Sequence, residues 1–172
     1  GHPMLGQEYQ GFVAANGLQF YVERAGKGPT LLYISGTGGD LRNKPNQLDS
    51  PLAKHFNLVC FDQRGLGQSA KPAVVYTMAD YADDAAALLD QVTDAPVRVI
   101  GVSYGGMVAQ ELALRYPEKI RSLLLVCTSA GGAGRPSFPL HELEALAPAD
   151  RVKRYLQISD TRRTDEWIVA NP

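Results

Sequence analysis

The chain has 172 residues, 17 of them Lys or Arg and 18 Asp or Glu, with a net charge of −1 and 45% apolar side chains. That composition suits one globular domain with its own core, and it lacks the basic excess that a nucleic-acid or anionic-membrane partner requires. No apolar stretch approaches the about 20 residues that span a bilayer, and no signal peptide is visible at the start. Gly1-His2-Pro3 reads as a tag remnant ahead of Met4. Cys60 and Cys127 each end an apolar run; they read as buried reduced thiols, which fits a cytoplasmic location.

Strand-like and helix-like patterns alternate along the chain. Phe12–Ala15 and Leu18–Glu23 flank Asn16-Gly17, a hairpin signal. Gly26 to Pro29 breaks the chain, and Thr30–Ile34 is a short apolar run suited to a buried strand. The glycine-rich turn Ser35–Asp40 follows, then a loop through Pro45 to a short helix near Asp49–His55. Asn57–Phe61 is the next strand and runs into Asp62-Gln63-Arg64-Gly65-Leu66-Gly67-Gln68-Ser69. Thr77 is placed to cap a helix from Met78 to Thr93, in which Met78, Tyr81, Ala82, Ala85, Leu88, Leu89 and Val92 recur at helical spacing.

Val97–Ile100 is a strand and Tyr104–Tyr116 a helix, with Met107, Val108, Leu112 and Leu114 among its apolar positions and Pro117 ending it. Ile120–Cys127 is a further buried strand. The alternation predicts an α/β fold, a mostly parallel sheet with helices on both faces. After Thr128 the texture changes. Residues 130–134 form a glycine-rich linker, Leu140–Leu146 and Asp150–Ile158 read as helices, and Thr164–Val169 begins another.

Gly101-Val102-Ser103-Tyr104-Gly105 stands between a strand and a helix. G-x-S-x-G at such a junction marks a nucleophile elbow, a strained turn that pushes the serine hydroxyl into solvent. A side chain two residues before or after Ser103 would collide with the turn, so glycine at 101 and 105 is a steric requirement. Ser103 reads as a nucleophile for acyl transfer. A helix N-cap serine would not need the paired glycines.

Three motifs in this order resemble those of the α/β-hydrolase fold family. Leu31–Gly39 looks like its oxyanion-hole segment, Phe61–Ser69 like its D-x-R-G-x-G-x-S turn, and Gly101–Gly105 like its elbow. Arg115–Ile120 is similar to the family's usual exit from the elbow helix, so the resemblance covers residues 10–130. It implies that Ser103 attacks a carbonyl carbon while the backbone N–H groups of Tyr104 and Thr37 stabilise the oxyanion. Gly36 is the alternative to Thr37, because Ser35-Gly36 stands where members usually carry His-Gly. The substrate implied is a small carboxylic ester, thioester or lactone, and no metal or organic cofactor is implied. Serine at the elbow argues against haloalkane dehalogenases and epoxide hydrolases, which carry aspartate there.

The family's chain order is Ser, then Asp or Glu, then His. Thr128-Ser129-Ala130-Gly131 holds no carboxylate, His2 stands in the tag remnant, His55 precedes the fourth strand and His141 follows the linker. The expectation is an N-terminal hydrolase portion: core over 4–130, then a linker and the start of a helical cap over 131–172. The acid and histidine would lie beyond residue 172, and the chain alone would be inactive. An apolar edge at Ile120–Cys127 would need cover from a second copy or a missing C-terminal segment. The alternative from another class is a non-catalytic ligand-binding or interaction protein of the same fold. Asp62, Arg64 and Ser69 read as a turn held by Asp–Arg contacts, with positive φ at Gly65 and Gly67. Tyr76, Tyr81 and Tyr116 read as packing residues.

Overall fold

The computed structural model describes residues 8–126, which form one six-stranded sheet. β1 (Tyr9–Ala15) and β2 (Leu18–Ala25) make a hairpin across Asn16 and Gly17, whose φ values are 50° and 75°. Positive φ at both central residues is what a type I′ turn needs, and its twist matches that of the strands. β3 (Thr30–Ile34), β4 (Asn57–Phe61), β5 (Val97–Val102) and β6 (Ile120–Val126) complete the sheet in the order β1-β2-β4-β3-β5-β6. β2 runs antiparallel to β1 and β4, and the β3–β4, β3–β5 and β5–β6 pairs are parallel. The parallel strands are nearly continuous apolar runs because both their faces are covered, and every residue of β4 is buried.

Two longer helices cover one face. α2 (Met78–Val92) begins at a capping box: Thr77 Oγ1 accepts from the Asp80 N–H at 3.1 Å, and Asp80 Oδ2 accepts from the Thr77 N–H at 2.8 Å. With α3 (Tyr104–Arg115) it packs Ala82, Ala85, Leu88, Leu89, Val108 and Leu112 on Phe20, Val22, Leu32, Ile34 and Val59. The other face buries Leu31, Leu58, Cys60 and Leu124 beneath α1 (Leu52–His55), Phe56 and Leu41. The single short helix expected near Asp49–His55 is divided into a 3-10 turn at Gln47–Asp49 and α1. Ser50 between them is extended because the following Pro51 disfavours the helical region before it. On α3, Val108 and Leu112 face the sheet as expected, whereas Met107 and Leu114 point outward at 50% and 79% exposure.

After β3 the chain turns to one side to make β4, then crosses back to make β5 on the other side. The carboxyl ends of β3 and β5 therefore flank a topological switch point, where open α/β sheets bind ligands. Cys60 is free and buried, and that burial pushes its thiol well above the ordinary range. No helix among the described residues is long and apolar enough to cross a membrane. Cys127, His141 and the linker and cap expected over 131–172 lie outside the described residues.

The turn after β4 is not held as expected. Gly65 and Gly67 do take positive φ, at 81° and 51°. Asp62 and Arg64, however, go to different partners. The Asp62 carboxylate accepts two backbone N–H groups, while Arg64 makes a bidentate pair with Asp84 on the buried side of α2, at 2.6 and 2.8 Å. Asn16 Nδ2 donates to the same carboxylate at 2.9 Å, and the Arg64 guanidinium lies 5.4 Å over the Tyr76 ring. The hydrogen bonds to Asp84 raise the Arg64 pKa. A carboxylate this deep is tolerated only with its partner. Asp84→Ala is expected to destabilise the fold by about 3–5 kcal/mol in urea unfolding, and replacing Arg64 and Asp84 together by Met and Leu to cost markedly less.

Candidate active site

Ser103 occupies the junction of β5 and α3 with φ 57° and ψ −121°, far from the helical region. Such a conformation costs about 1–3 kcal/mol in a non-glycine residue and persists only where the surroundings impose it. Here the Ser103 N–H donates to the carbonyl of Val126 at the end of β6, and its own carbonyl accepts from the Gly106 N–H, both at 2.8 Å. The side chain is exposed and makes no capping hydrogen bond to α3, which removes the N-cap reading.

The flanking glycines are required for a reason more specific than the turn itself. A Cβ on Gly101 would lie 2.4 Å from the Gly105 carbonyl oxygen and 2.8 Å from Cβ of Ala109, so α3 forbids it. A Cβ on Gly105 would lie 2.1 Å from the carbonyl oxygen of Ile34 and 2.6 Å from that of Ser35, so the end of β3 forbids it. Side-chain-free backbone lets β3, β5 and α3 converge on one serine.

The loop after β3 reaches the same point. A Cβ on Gly36 would stand 3.0 Å from the Val102 carbonyl oxygen, 3.1 Å from Ser103 Cβ and 3.7 Å from Ser103 Oγ. The Gly39 N–H donates to the Gly36 carbonyl at 3.2 Å, and Gly38 takes φ 78° to close this turn. Peptide planarity then sets the Thr37 N–H opposite to that carbonyl. Tyr104 is the first residue of α3, so its N–H has no acceptor within the helix and lies at the positive end of the helix dipole. Among the described residues, neither the Thr37 nor the Tyr104 N–H has a backbone acceptor. The Tyr104 ring meets Tyr81 edge-on at 5.5 Å, and Tyr81 meets Tyr76 at 5.9 Å. Tyr81 and Tyr116 pack against the core.

Two residues that the sequence reading left without a role in the site brace this loop. Asp62, 1% exposed, accepts the N–H of Leu41 through Oδ1 and that of Gln68 through Oδ2, each at 2.9 Å. Burial raises its pKa, and the two N–H groups oppose that rise. Ser69 Oγ donates to the Asp62 carbonyl at 2.6 Å and accepts the Tyr21 N–H at 2.9 Å, which ties the turn to β2. Gln63 Nε2 donates to the Ser35 carbonyl at 3.0 Å. Their adjacency at the end of a buried strand was the available signal. Behind the loop lies a cavity of about 270 Å³, walled by Tyr33, Gly36–Gly39, Asn46, Cys60 and Asp62. Ser103 is not part of its wall.

His55 closes α1 directly before β4, at the amino end of the parallel strands, while Ser103 follows the carboxyl end of β5. No group of three or more His, Cys, Asp or Glu side chains among the described residues is placed to hold a metal ion.

Adjacent glycines offer a test of this geometry. Gly105→Ala is expected to destabilise the protein by more than about 2 kcal/mol in urea unfolding, since its Cβ would meet backbone. Gly106→Ala has its nearest neighbour at 3.4 Å and lies inside α3, so it is expected to be neutral or to stabilise by up to about 1 kcal/mol.

Comparison with known proteins gives one consistent result. The sequence profile described as alpha/beta hydrolase fold matches residues 29–158. A poly(3-hydroxyalkanoate) depolymerase of Ectopseudomonas oleovorans is 33% identical over 133 residues, 77% of this chain and 45% of its own length. The enol-lactonase of Burkholderia xenovorans LB400 superposes with a TM-score of 0.60 at 28% identity, over 65% of this chain and 44% of its own. Epoxide hydrolase VrEH1 of Vigna radiata gives 0.63 at 25% identity, over 89% and 47%. The chain spans about two fifths of the length of the curated relatives it matches, 39% of one and 45% of the depolymerase. With its sheet order, its glycine-flanked serine and this matched span, the chain belongs to the α/β-hydrolase fold family.

Proposed function

We propose that this chain is the nucleophile-bearing part of a serine hydrolase that cleaves a small carboxylic ester, thioester or lactone. The observation that carries the reading is the exposed Ser103 at positive φ, with the loop after β3 so near that a Cβ on Gly36 would stand 3.1 Å from Ser103 Cβ, and with α3 starting directly after it. In the first step Ser103 Oγ bonds to the substrate carbonyl carbon as its proton passes to a base. Negative charge gathers on the former carbonyl oxygen, which the N–H groups of Tyr104 and Thr37 receive, Gly36 being the alternative donor to Thr37. Each such donor is worth about 3 kcal/mol in the transition state. The alcohol or thiol then leaves with a proton, and water releases the acyl group.

The resemblance assigns the base to a histidine and its orientation to a carboxylate, and we place both beyond residue 172. His55 is at the other end of the sheet, and the chain spans about two fifths of its curated relatives. Two relatives are named for hydroxyalkanoate and lactone substrates, which supports carbonyl chemistry of this type. Ser103, where the resemblance gives epoxide hydrolases an aspartate, favours esters over epoxides.

Fluorophosphonate labelling tests the proposal. The whole protein is expected to be labelled at Ser103, and Ser103→Ala to abolish the label. The 172-residue chain alone is expected to react slower by about 10⁴-fold or more, since a serine without its base is a weak nucleophile. An intact label in Ser103→Ala, or no label in the whole protein, would overturn the hydrolase reading and favour a ligand-binding member of the fold.

A further inference from the structure

We infer that Gln63 is a positioning residue for the oxyanion loop, an inference that rests on the acyl-transfer reading of Ser103. Gln63 is 2% exposed, and its Nε2 donates to the Ser35 carbonyl 28 residues earlier in the chain. Its Oε1 is buried and has no hydrogen-bond partner among the described residues. A buried amide that leaves its oxygen unmatched is a worse core residue than an apolar side chain of the same size. What the amide contributes is the one bond it makes. Exchanging its nitrogen and oxygen would set two carbonyl oxygens against each other, so the Ser35 carbonyl also fixes which way the amide faces.

That bond acts on the peptide unit that matters. The Ser35 carbonyl and the Gly36 N–H belong to one planar trans peptide and point in opposite directions. Holding the carbonyl therefore holds the direction of the Gly36 N–H and the start of the turn that presents Thr37. The same Ser35 carbonyl oxygen lies 2.6 Å from the point where a Cβ on Gly105 would stand, so the clamped unit is the one that abuts α3. At the far end of the loop, the neighbouring Asp62 carboxylate holds the Leu41 N–H. Consecutive residues leaving β4 thus fix the loop at both ends, and Gln63 has the end nearer Ser103.

The test uses the whole protein and p-nitrophenyl acetate. Gln63→Met is expected to lower kcat by about 10-fold with KM within twofold of wild type, because a misaimed donor is lost in the transition state and not in substrate binding. In Gln63→Glu the side chain can donate to Ser35 only when protonated. The ratio of its kcat to wild type is expected to rise as pH falls from 8 to 5.5, while the ratio for Gln63→Met stays flat. A Gln63→Met enzyme within twofold of wild-type kcat, or a flat Gln63→Glu ratio, would overturn the inference. Ser103→Ala separates the two levels: if it still turns over substrate, the acyl-transfer reading fails on its own. A measurement on the unsubstituted whole protein needs no variant to fold. One of the two Gln63 side-chain amide protons is expected to exchange with solvent at least about 10-fold more slowly than the protons of exposed glutamines, and rapid exchange of both would overturn the clamp.

Discussion

The strain at Ser103 is sustainable because three stretches of backbone meet around it with no Cβ between them. Gly36 brings the loop after β3 against Ser103, Gly101 lets β5 pass under α3, and Gly105 lets α3 start against the end of β3. A methyl group at Gly101 or Gly105 would sit within 2.4 Å of a carbonyl oxygen. The sheet order supplies the reason these segments are neighbours. β3 and β5 are paired although β4 and α2 lie between them in sequence, and the chain reverses its winding there. A serine and a glycine loop delivered by two such strands necessarily share one crevice at their carboxyl ends.

Much of the support comes from three consecutive residues. Asp62, Gln63 and Arg64 leave the end of β4 and each goes to a different part of the molecule. Asp62 receives Leu41 and Gln68, Gln63 holds Ser35, and Arg64 crosses to Asp84 on α2. The D-x-R-G-x-G-x-S turn thus braces the loop after β3 and α2 at once. Gly67 is part of it, since a Cβ there would press into the Asp62 carboxylate at 2.2 Å.

The fold was largely legible because its signals are local. Asn16-Gly17 dictates its hairpin, the short apolar run at Thr30–Ile34 suits a buried strand, and Thr77 with Asp80 closes a box that starts α2. The elbow was legible because G-x-S-x-G encodes a steric demand at fixed spacing. Less legible were relations between distant residues. Nothing near Asp84 in sequence says that a carboxylate on an apolar helix face is matched by Arg64 and Asn16. The Asp62–Arg64 contact read from proximity was wrong for that reason: both side chains found better-placed partners elsewhere. Met107 and Leu114 are apolar residues of α3, but the helix turns Val108, Ala109 and Leu112 to the sheet, and these two fall on its outer side.

The Asn16–Asp84–Arg64 contact has a consequence for how the molecule comes apart. Its members belong to the first hairpin, the turn after β4 and the second helix, 68 and 20 residues from one another across Asp84. A partly assembled form with α2 docked and the turn after β4 loose would leave the Asp84 carboxylate unpaired in an apolar interior, and one with the hairpin loose would cost it the Asn16 hydrogen bond, so such forms are disfavoured. Opening and closing of these segments are therefore coupled into one cooperative event. The shape of Ser103 is imposed by backbone from the same assembled sheet. The strained geometry of Ser103 should accordingly vanish together with the fold, in a single transition, and not fade ahead of it.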